Sequence, residues 1–452
     1  MTNTEKTIGG HPVGLTVLFF TELWERFSYY GMRAILVLFM VSPAAQGGLG
    51  FDVAAATSLY GTYTMSVYFT SLPGGFIADR WLGARLSVLL GGLVMAAGQF
   101  ALMVHSTEWF YGGLLLITLG TGLLKPNISS MVGKLYERTD PRRDSAFSIF
   151  YMGINVGAVL APLACGYLAQ SESFRQVLVS WGIEPTYSWH MAFGAAGVGM
   201  LLGLAVYVLW GRHLAHVGGR QKSAKGPDGA HAKPEPLTSG DWQRIGVICI
   251  LFVFTALFWS AYEQKGASLN LFALKLVDTR IGDWAFPSSW LQSMTGFFVI
   301  GLAPLFSALW VRLGSRQPSS PAKFALGLLF IGLAYTLLVP ACAMTASGKI
   351  SPFWLVGLYF MEVVGEMCLS PVGLSTVTKL APPRVLGVML GVWFLASAAG
   401  NKLAGYFGGF FVADDPTRLM TLYGAIAAGM LTASGVLALL IPRIRRMMGD
   451  VH

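Results

Sequence analysis

The first chemical signal lies in TELWERFSYYGMRAILVLFM, residues 21–40. Glu22, Glu25, Arg26, Tyr29, Tyr30 and Arg33 fall at offsets 0, 3, 4, 7, 8 and 11. On a 3.6-residue helix that spacing is one stripe. Two carboxylates facing two guanidiniums, with phenol rings among them, can hold an anion or a cation. They can also exchange a proton for an ion pair, because burial and a neighbouring cation shift a carboxyl in opposite directions. Apart from these charges the segment 13–41 is as apolar as a membrane span. A charge at the centre of an inserted helix costs ~2.5–3.5 kcal/mol, so the stripe must face protein or water and pair its charges. Glu22 with Arg26 is an i, i+4 pair; Glu25 and Arg26 are adjacent. Further charges interrupt other apolar runs: Lys125 beside the helix-breaking Pro126, Glu263 and Lys265 in FTALFWSAYEQKGASLNLF, Glu362 and Glu366 in LYFMEVVGEMCLSPVGLS, and Lys402 in ASAAGNKLAG. Acids and bases balance, and intramembrane ionisable groups mark a site by default.

The elements that must position these residues are membrane helices. The chain has 452 residues, 54% hydrophobic and 12% charged, with a mean hydropathy of +0.60. Soluble domains carry about 25% charged residues. Twelve apolar segments long enough to span can be read: 13–41, 53–78, 86–105, 109–131, 145–169, 189–211, 243–273, 288–311, 322–346, 351–378, 385–412 and 418–441. They are too long, and alternate too little, for a β-barrel. The net charge of +9 does not indicate nucleic acid. With the N-terminus placed inside, most of the 31 Lys and Arg lie in loops on that side, among them Arg80, Arg85, Lys134, Arg138, Arg142, Arg143, Arg443, Arg445 and Arg446. The opposite loops hold Arg175, Lys275, Arg280, Lys349 and Arg418. This asymmetry predicts both termini in the cytoplasm. Cys165, Cys249, Cys342 and Cys368 read as small core residues, with neither disulfide nor metal spacing. The N-terminus lacks the features of a cleaved signal peptide.

Residues 212–242 are polar and rich in Gly, Pro and Lys, and read as a cytoplasmic linker. The expected organisation is an N-terminal six-helix bundle (1–211), the linker (212–242), a C-terminal six-helix bundle (243–442) and a cytoplasmic tail (443–452). Between the second and third segments, GGFIADRWLGAR (74–85) resembles the G-x-x-x-D-R-x-x-G-x-R loop signature of the major facilitator superfamily, with Gly83 in the tight turn. The corresponding place in the second half, around Arg312, Gly314 and Arg316, has no acid. The implied fold is all-α: twelve transmembrane helices in two six-helix bundles, with the charges of both halves converging on a polar cavity.

Within that superfamily the chain resembles the proton-dependent oligopeptide transporters. ELWERF (22–27) is similar to their E-x-x-E-R-F signature, FYMGINVG (150–157) to F-Y-x-x-I-N-x-G, and GEMCLSPVGLS (365–375) to their helix-10 segment. The resemblance implies proton-coupled import of di- and tripeptides by a multi-pass protein of the bacterial inner membrane. It implies a monomer without cofactor, partnered by peptides, protons and the lipid bilayer. Arg26, Lys125 and Tyr30 would hold the peptide carboxylate; Glu366 and Asn155 would hold its amine. Tyr29, Tyr68, Trp259 and Trp393 would line the side-chain pockets, with Phe150 and Tyr151 either lining or packing. Glu22, Glu25 and Glu263 would couple protons, and Arg33 with Glu263 would latch the outer face.

The chain departs from the family pattern in three places. Bacterial members often carry two extra helices between the halves, and 212–242 is too short for a spanning hairpin. Thr295 stands where many relatives have Asn. Glu362 has no place in the pattern, and reads as a second protonation site or a partner for Lys402. No histidine occupies the helix-2 position used by animal members, so coupling is expected to rest on carboxylates. The alternative cargo on the same fold is another small anion or zwitterion, such as nitrate or an amino-acid conjugate. A nutrient receptor would need a signalling domain. An enzyme would need a nucleophile–base set, metal spacing or phosphate loop, and the sequence shows none.

Overall fold

The structure, a computed structural model, describes residues 7–137, 140, 142–219, 237–382 and 385–449. Most of the expected linker, 220–236, and the end of the tail, 450–452, lie outside the described residues. The chain is helical nearly throughout. A short hairpin of β1 (Thr7–Ile8) and β2 (His11–Pro12) leads into α1 (Val13–Val41). There follow α2 (Val53–Ile77), α3 (Ala84–Ala101), α4 (Thr107–Lys134), α5 (Arg142–Gln170), the short α6 (Glu172–Ser180) and α7 (Ser188–Leu209). Beyond the linker come α8 (Ser239–Tyr262), α9 (Ser268–Leu276) and a second exposed hairpin, β3 (Arg280–Ile281) with β4 (Trp284–Ala285). The remainder is α10 (Ser293–Leu313), α11 (Ser320–Met344), α12 (Phe353–Leu380), α13 (Leu386–Gly408) and α14 (Pro416–Met448).

Among the described residues, eight helices are long and apolar enough to cross a membrane by length and composition. The helix α1 falls short of that measure for a chemical reason: every 18-residue window in it contains at least three of Glu22, Glu25, Arg26 and Arg33. Two local features depart from the sequence reading. Pro126 does not break its helix, for α4 runs through it to Lys134. A membrane helix absorbs the missing N–H bond when neighbouring groups re-satisfy the backbone. The seventh apolar segment is interrupted after Tyr262 by a tight turn, Glu263–Gly266, before α9 begins. Gly83, as the turn requires, has φ 77°, a left-handed value that any side chain would strain.

The chain divides into two compact units. The first comprises Met1–Phe51, Ser66–Ala224 and Arg280–Phe297; the second comprises Asp52–Met65, Lys225–Thr279 and Phe298–His452.

In the first unit α1 is the central element. Apolar burial gives little drive between helices in lipid, so close approach of small residues and interhelical hydrogen bonds take over. A Cβ on Gly157 of α5 would stand 2.5 Å from the Leu23 carbonyl oxygen, and one on Gly199 of α7 would stand 2.5 Å from the Phe27 ring. Gln99 of α3 donates its side-chain amide to the Ser28 carbonyl at 3.2 Å. With α5 and α7 this tight against it, α1 buries most of its length, and its charged stripe meets protein.

In the second unit Gln264 donates to the Ala404 carbonyl at 3.0 Å, Ser434 to that of Ala325 at 2.7 Å, and Tyr335 to that of Ala261 at 2.8 Å. Gly61 and Gly405 bring the start of α2 against α13, where a Cβ on Gly61 would meet the Gly405 Cα at 2.8 Å. Three of the cysteines are buried as expected. Cys249 is exposed, because it lies on the outer surface of α8.

Candidate functional site

In the first unit the stripe on α1 forms one ionic cluster. Glu22, Glu25, Arg26 and Arg33 are 2%, 0%, 3% and 5% exposed. The Arg26 Nε donates to Glu25 and lies 3.1 Å from Glu22 Oε1, so one guanidinium serves both carboxylates. Among the described residues, three polar atoms of the cluster have no hydrogen-bond partner: Arg26 Nη2, Glu22 Oε2 and Glu25 Oε1. They are the groups through which a buried ion cluster can still take a charged ligand.

The Tyr29 and Tyr30 rings, 5.4 Å apart, lie between the two arginines. Arg26 Cζ is 5.4 and 6.0 Å from their centroids, and Arg33 Cζ is 5.4 and 5.8 Å from them. Stacking on an aromatic face holds a guanidinium without neutralising it. Lys125 of α4 is half-buried with its ammonium 4.1 Å from the Tyr68 ring centroid. It lies close enough to feel the charges of Glu22, Glu25, Arg26 and Arg33. The structure therefore gathers Glu22, Glu25, Arg26, Tyr29, Tyr30, Arg33, Tyr68 and Lys125 into one electrostatic neighbourhood.

Two sequence-predicted residues of this unit are more constrained. Asn155 is buried, and its amide N–H donates to the Tyr151 carbonyl one turn back at 2.9 Å. Thr295 donates to the Gln292 carbonyl at 2.7 Å, so its hydroxyl hydrogen is already engaged. Phe150 is buried packing, while Tyr151 is exposed.

In the second unit the carboxyls meet phenols. Glu366 of α12 accepts a hydrogen bond from the Tyr262 hydroxyl. Tyr262 packs edge-on to Trp259 with centroids 5.1 Å apart, and the Lys265 ammonium sits 3.6 Å from the Tyr262 ring centroid. Glu263, buried, begins the turn that ends α8, which places acid, base and ring within four residues of one break. Trp393 of α13 packs edge-on to Phe324 with centroids 6.0 Å apart, and a Cβ on Gly373 would collide with its ring at 2.2 Å. Lys402, read from sequence as a possible partner for Glu362, instead donates to the Thr62 hydroxyl at 2.7 Å.

Sequence reasoning missed Tyr262. It is the residue that hydrogen-bonds Glu366, and its only signal was its place immediately before Glu263.

The family model of the POT family matches residues 85–226 and 238–422. The chain is 36% identical to a peptide transporter of Yersinia enterocolitica over 100% of this chain and 98% of that protein. It is 32% identical to a di-/tripeptide transporter of Lactococcus lactis subsp. cremoris, over 100% of this chain and 99% of that one. A crystal structure of a peptide transporter POT in complex with sulfate superposes with a TM-score of 0.88 at 36% identity, covering 98% of this chain and 97% of that one. Matched along nearly all of its length, and carrying the charged stripe and the glutamate pair just described, this chain belongs to the POT family.

Proposed function

We propose that the protein is a proton-coupled symporter that imports di- and tripeptides by alternating access. The observation that carries this reading is the α1 cluster: a buried guanidinium serving two carboxylates, with one donor of its own unengaged. Arg26 and Lys125, with Tyr30, take the peptide carboxylate. Glu366, with Asn155, takes the amine. Tyr29, Tyr68, Trp259 and Trp393 accept the variable side chains. A clamp that reads both termini tolerates many sequences between them.

Glu22 and Glu25 supply the coupling. Protonating either one removes a negative charge from Arg26 and frees the guanidinium for the peptide carboxylate. Arg33 and Glu263 form the outer latch, which opens when Glu263 takes a proton. The protein is a carrier in the bacterial inner membrane, with twelve spans in two six-helix bundles and both termini cytoplasmic. It works as a monomer and needs no cofactor. The lysine and arginine asymmetry of its loops supports the orientation. The name of each relative reported above supports the cargo.

Uptake of a labelled dipeptide into proteoliposomes tests the reading. Accumulation above equilibrium is expected only with acid outside. No uptake of di- or tripeptides under that gradient, with uptake of nitrate or another small anion instead, would overturn it.

A further inference from the structure

Glu362 is the anomaly of the second unit. It is 0% exposed, one turn before Glu366 on α12, and neither carboxyl oxygen has a hydrogen-bond partner among the described residues. Its surroundings are phenols. Tyr335 of α11 faces it, and Tyr359 lies one turn back on its own helix. Tyr423 of α14 stacks on Tyr335 with ring centroids 6.0 Å apart. The Tyr359 hydroxyl also lacks a hydrogen-bond partner among the described residues.

The hydrogen-bond inventory fixes what Glu362 can be. A phenol has one hydrogen to give. Tyr335 gives its hydrogen to the Ala261 carbonyl at 2.8 Å. A bond between Tyr335 and Glu362 can therefore only be donated by the carboxyl, which requires the acid and not the carboxylate. An ionised carboxylate enclosed without a touching cation is costly by several kcal/mol. The charged groups that reach it are Glu366 on its own helix and Glu263 and Lys265 from the turn after α8. Of these, Lys265 is the cation, and its ammonium lies over the Tyr262 ring. From the neighbouring α13, Lys402 is engaged with Thr62.

We propose that Glu362 is a second proton carrier of the transport cycle, enclosed with Tyr335, Tyr359 and Tyr423 and discharged when Lys265 leaves the Tyr262 ring to pair with it. The proposal rests on the proton-coupled reading above. The step is a simple exchange. The Glu362 O–H bond breaks, its proton passes to water on the cytoplasmic side, and the carboxylate left behind pairs with the Lys265 ammonium. Reloading from the outer side reverses it. Glu366 remains the residue that meets the peptide amine.

The test is the pH difference that just holds a tenfold dipeptide gradient across proteoliposomes without net flux. In E362Q this difference is expected to rise, ~twofold if the wild type carries two protons per peptide, because one fewer proton drives each turnover. Peptide counterflow without a gradient should persist. An unchanged balancing pH difference would overturn the proposal. If E362Q does not exchange peptide, the infrared spectrum of the purified variant decides. The wild type should show a protonated-carboxyl carbonyl stretch that E362Q lacks and that K265Q retains to higher pH. A band unaffected by E362Q would also overturn it. Absence of wild-type counterflow would overturn the symport reading and this proposal with it, whereas counterflow with an unchanged balance in E362Q overturns this proposal alone.

Discussion

The two units handle buried carboxyls in opposite ways. In the first, Glu22 and Glu25 both meet a cation: each approaches Arg26, and Lys125 adds a further positive charge nearby. In the second, Glu366 leans on the Tyr262 hydroxyl and Glu362 sits among phenols, while Lys265 and Lys402 are occupied by a ring and a threonine. An ion-paired carboxylate gains a proton only by releasing a cation. A phenol-held carboxyl has no ion pair to break when it gains one. On the proposed reading, the first unit converts a proton into a free positive charge, and the second holds protons and an amine.

The largest effect expected from breaking this contrast is on Arg26. Arg26→Ala leaves two buried carboxylates uncompensated, and removal of one partner from a buried pair costs about 3–5 kcal/mol. Thermal unfolding in detergent should fall markedly, and uptake should vanish. Extending the change to the triple variant Glu22→Gln/Glu25→Gln/Arg26→Leu should recover much of the stability but none of the transport. A variant as unstable as the single mutant would show that the pairing is not what holds α1.

Next in size are the carboxyls themselves. Glu22→Gln and Glu25→Gln should each lower proton-driven accumulation severalfold while leaving counterflow within about threefold of wild type, since the amide keeps the shape but cannot become charged. Retained accumulation in both would move coupling away from α1. Smaller again is packing: Gly157→Leu drives a side chain into the Leu23 carbonyl 2.5 Å away, a strain of about 1–3 kcal/mol. It should lower both stability and uptake through misplacement of the stripe, and Gly112→Leu, in α4 with nothing within 4 Å of the added Cβ and ordinary helical backbone, serves as its counterpart without crowding.

The smallest effect lies outside the membrane helices. Arg142 holds the half-buried Asp140 carboxyl below the ordinary range, through side-chain and backbone hydrogen bonds. A depressed carboxyl stabilises above its unfolded value and loses that contribution as pH falls through its folded one. Amide exchange at the start of α5 should quicken in acid, and Asp140→Asn should remove that pH dependence.

Most of the helical segments were legible because hydropathy and length report the bilayer directly: α1 runs over the same residues, 13–41, that its apolar run predicts. The charged stripe was legible because its spacing follows the helical repeat. Two kinds of feature were not. The run of α4 through Pro126 depends on neighbours that re-satisfy its backbone, and the break at Glu263 on the path the chain takes after Tyr262. The Glu366–Tyr262 bond joins residues 104 positions apart, which no local pattern encodes. Lys402 illustrates the same limit: composition offered Glu362 as its partner, and packing gave it Thr62.

The account stands or falls on the division of labour between carboxylate and amine recognition. The direct measurement is counterflow inhibition by three ligands, a free dipeptide, its C-terminal amide and its N-acetyl form, on the wild type, Lys125→Gln and Glu366→Gln. In Lys125→Gln the preference for free carboxylate over amide should shrink about tenfold, the worth of one charge-assisted contact of ~1.4 kcal/mol. The preference for free amine should stay as in the wild type, and Glu366→Gln should show the reverse. Equal loss of both preferences in both variants, or loss of neither, would contradict the account.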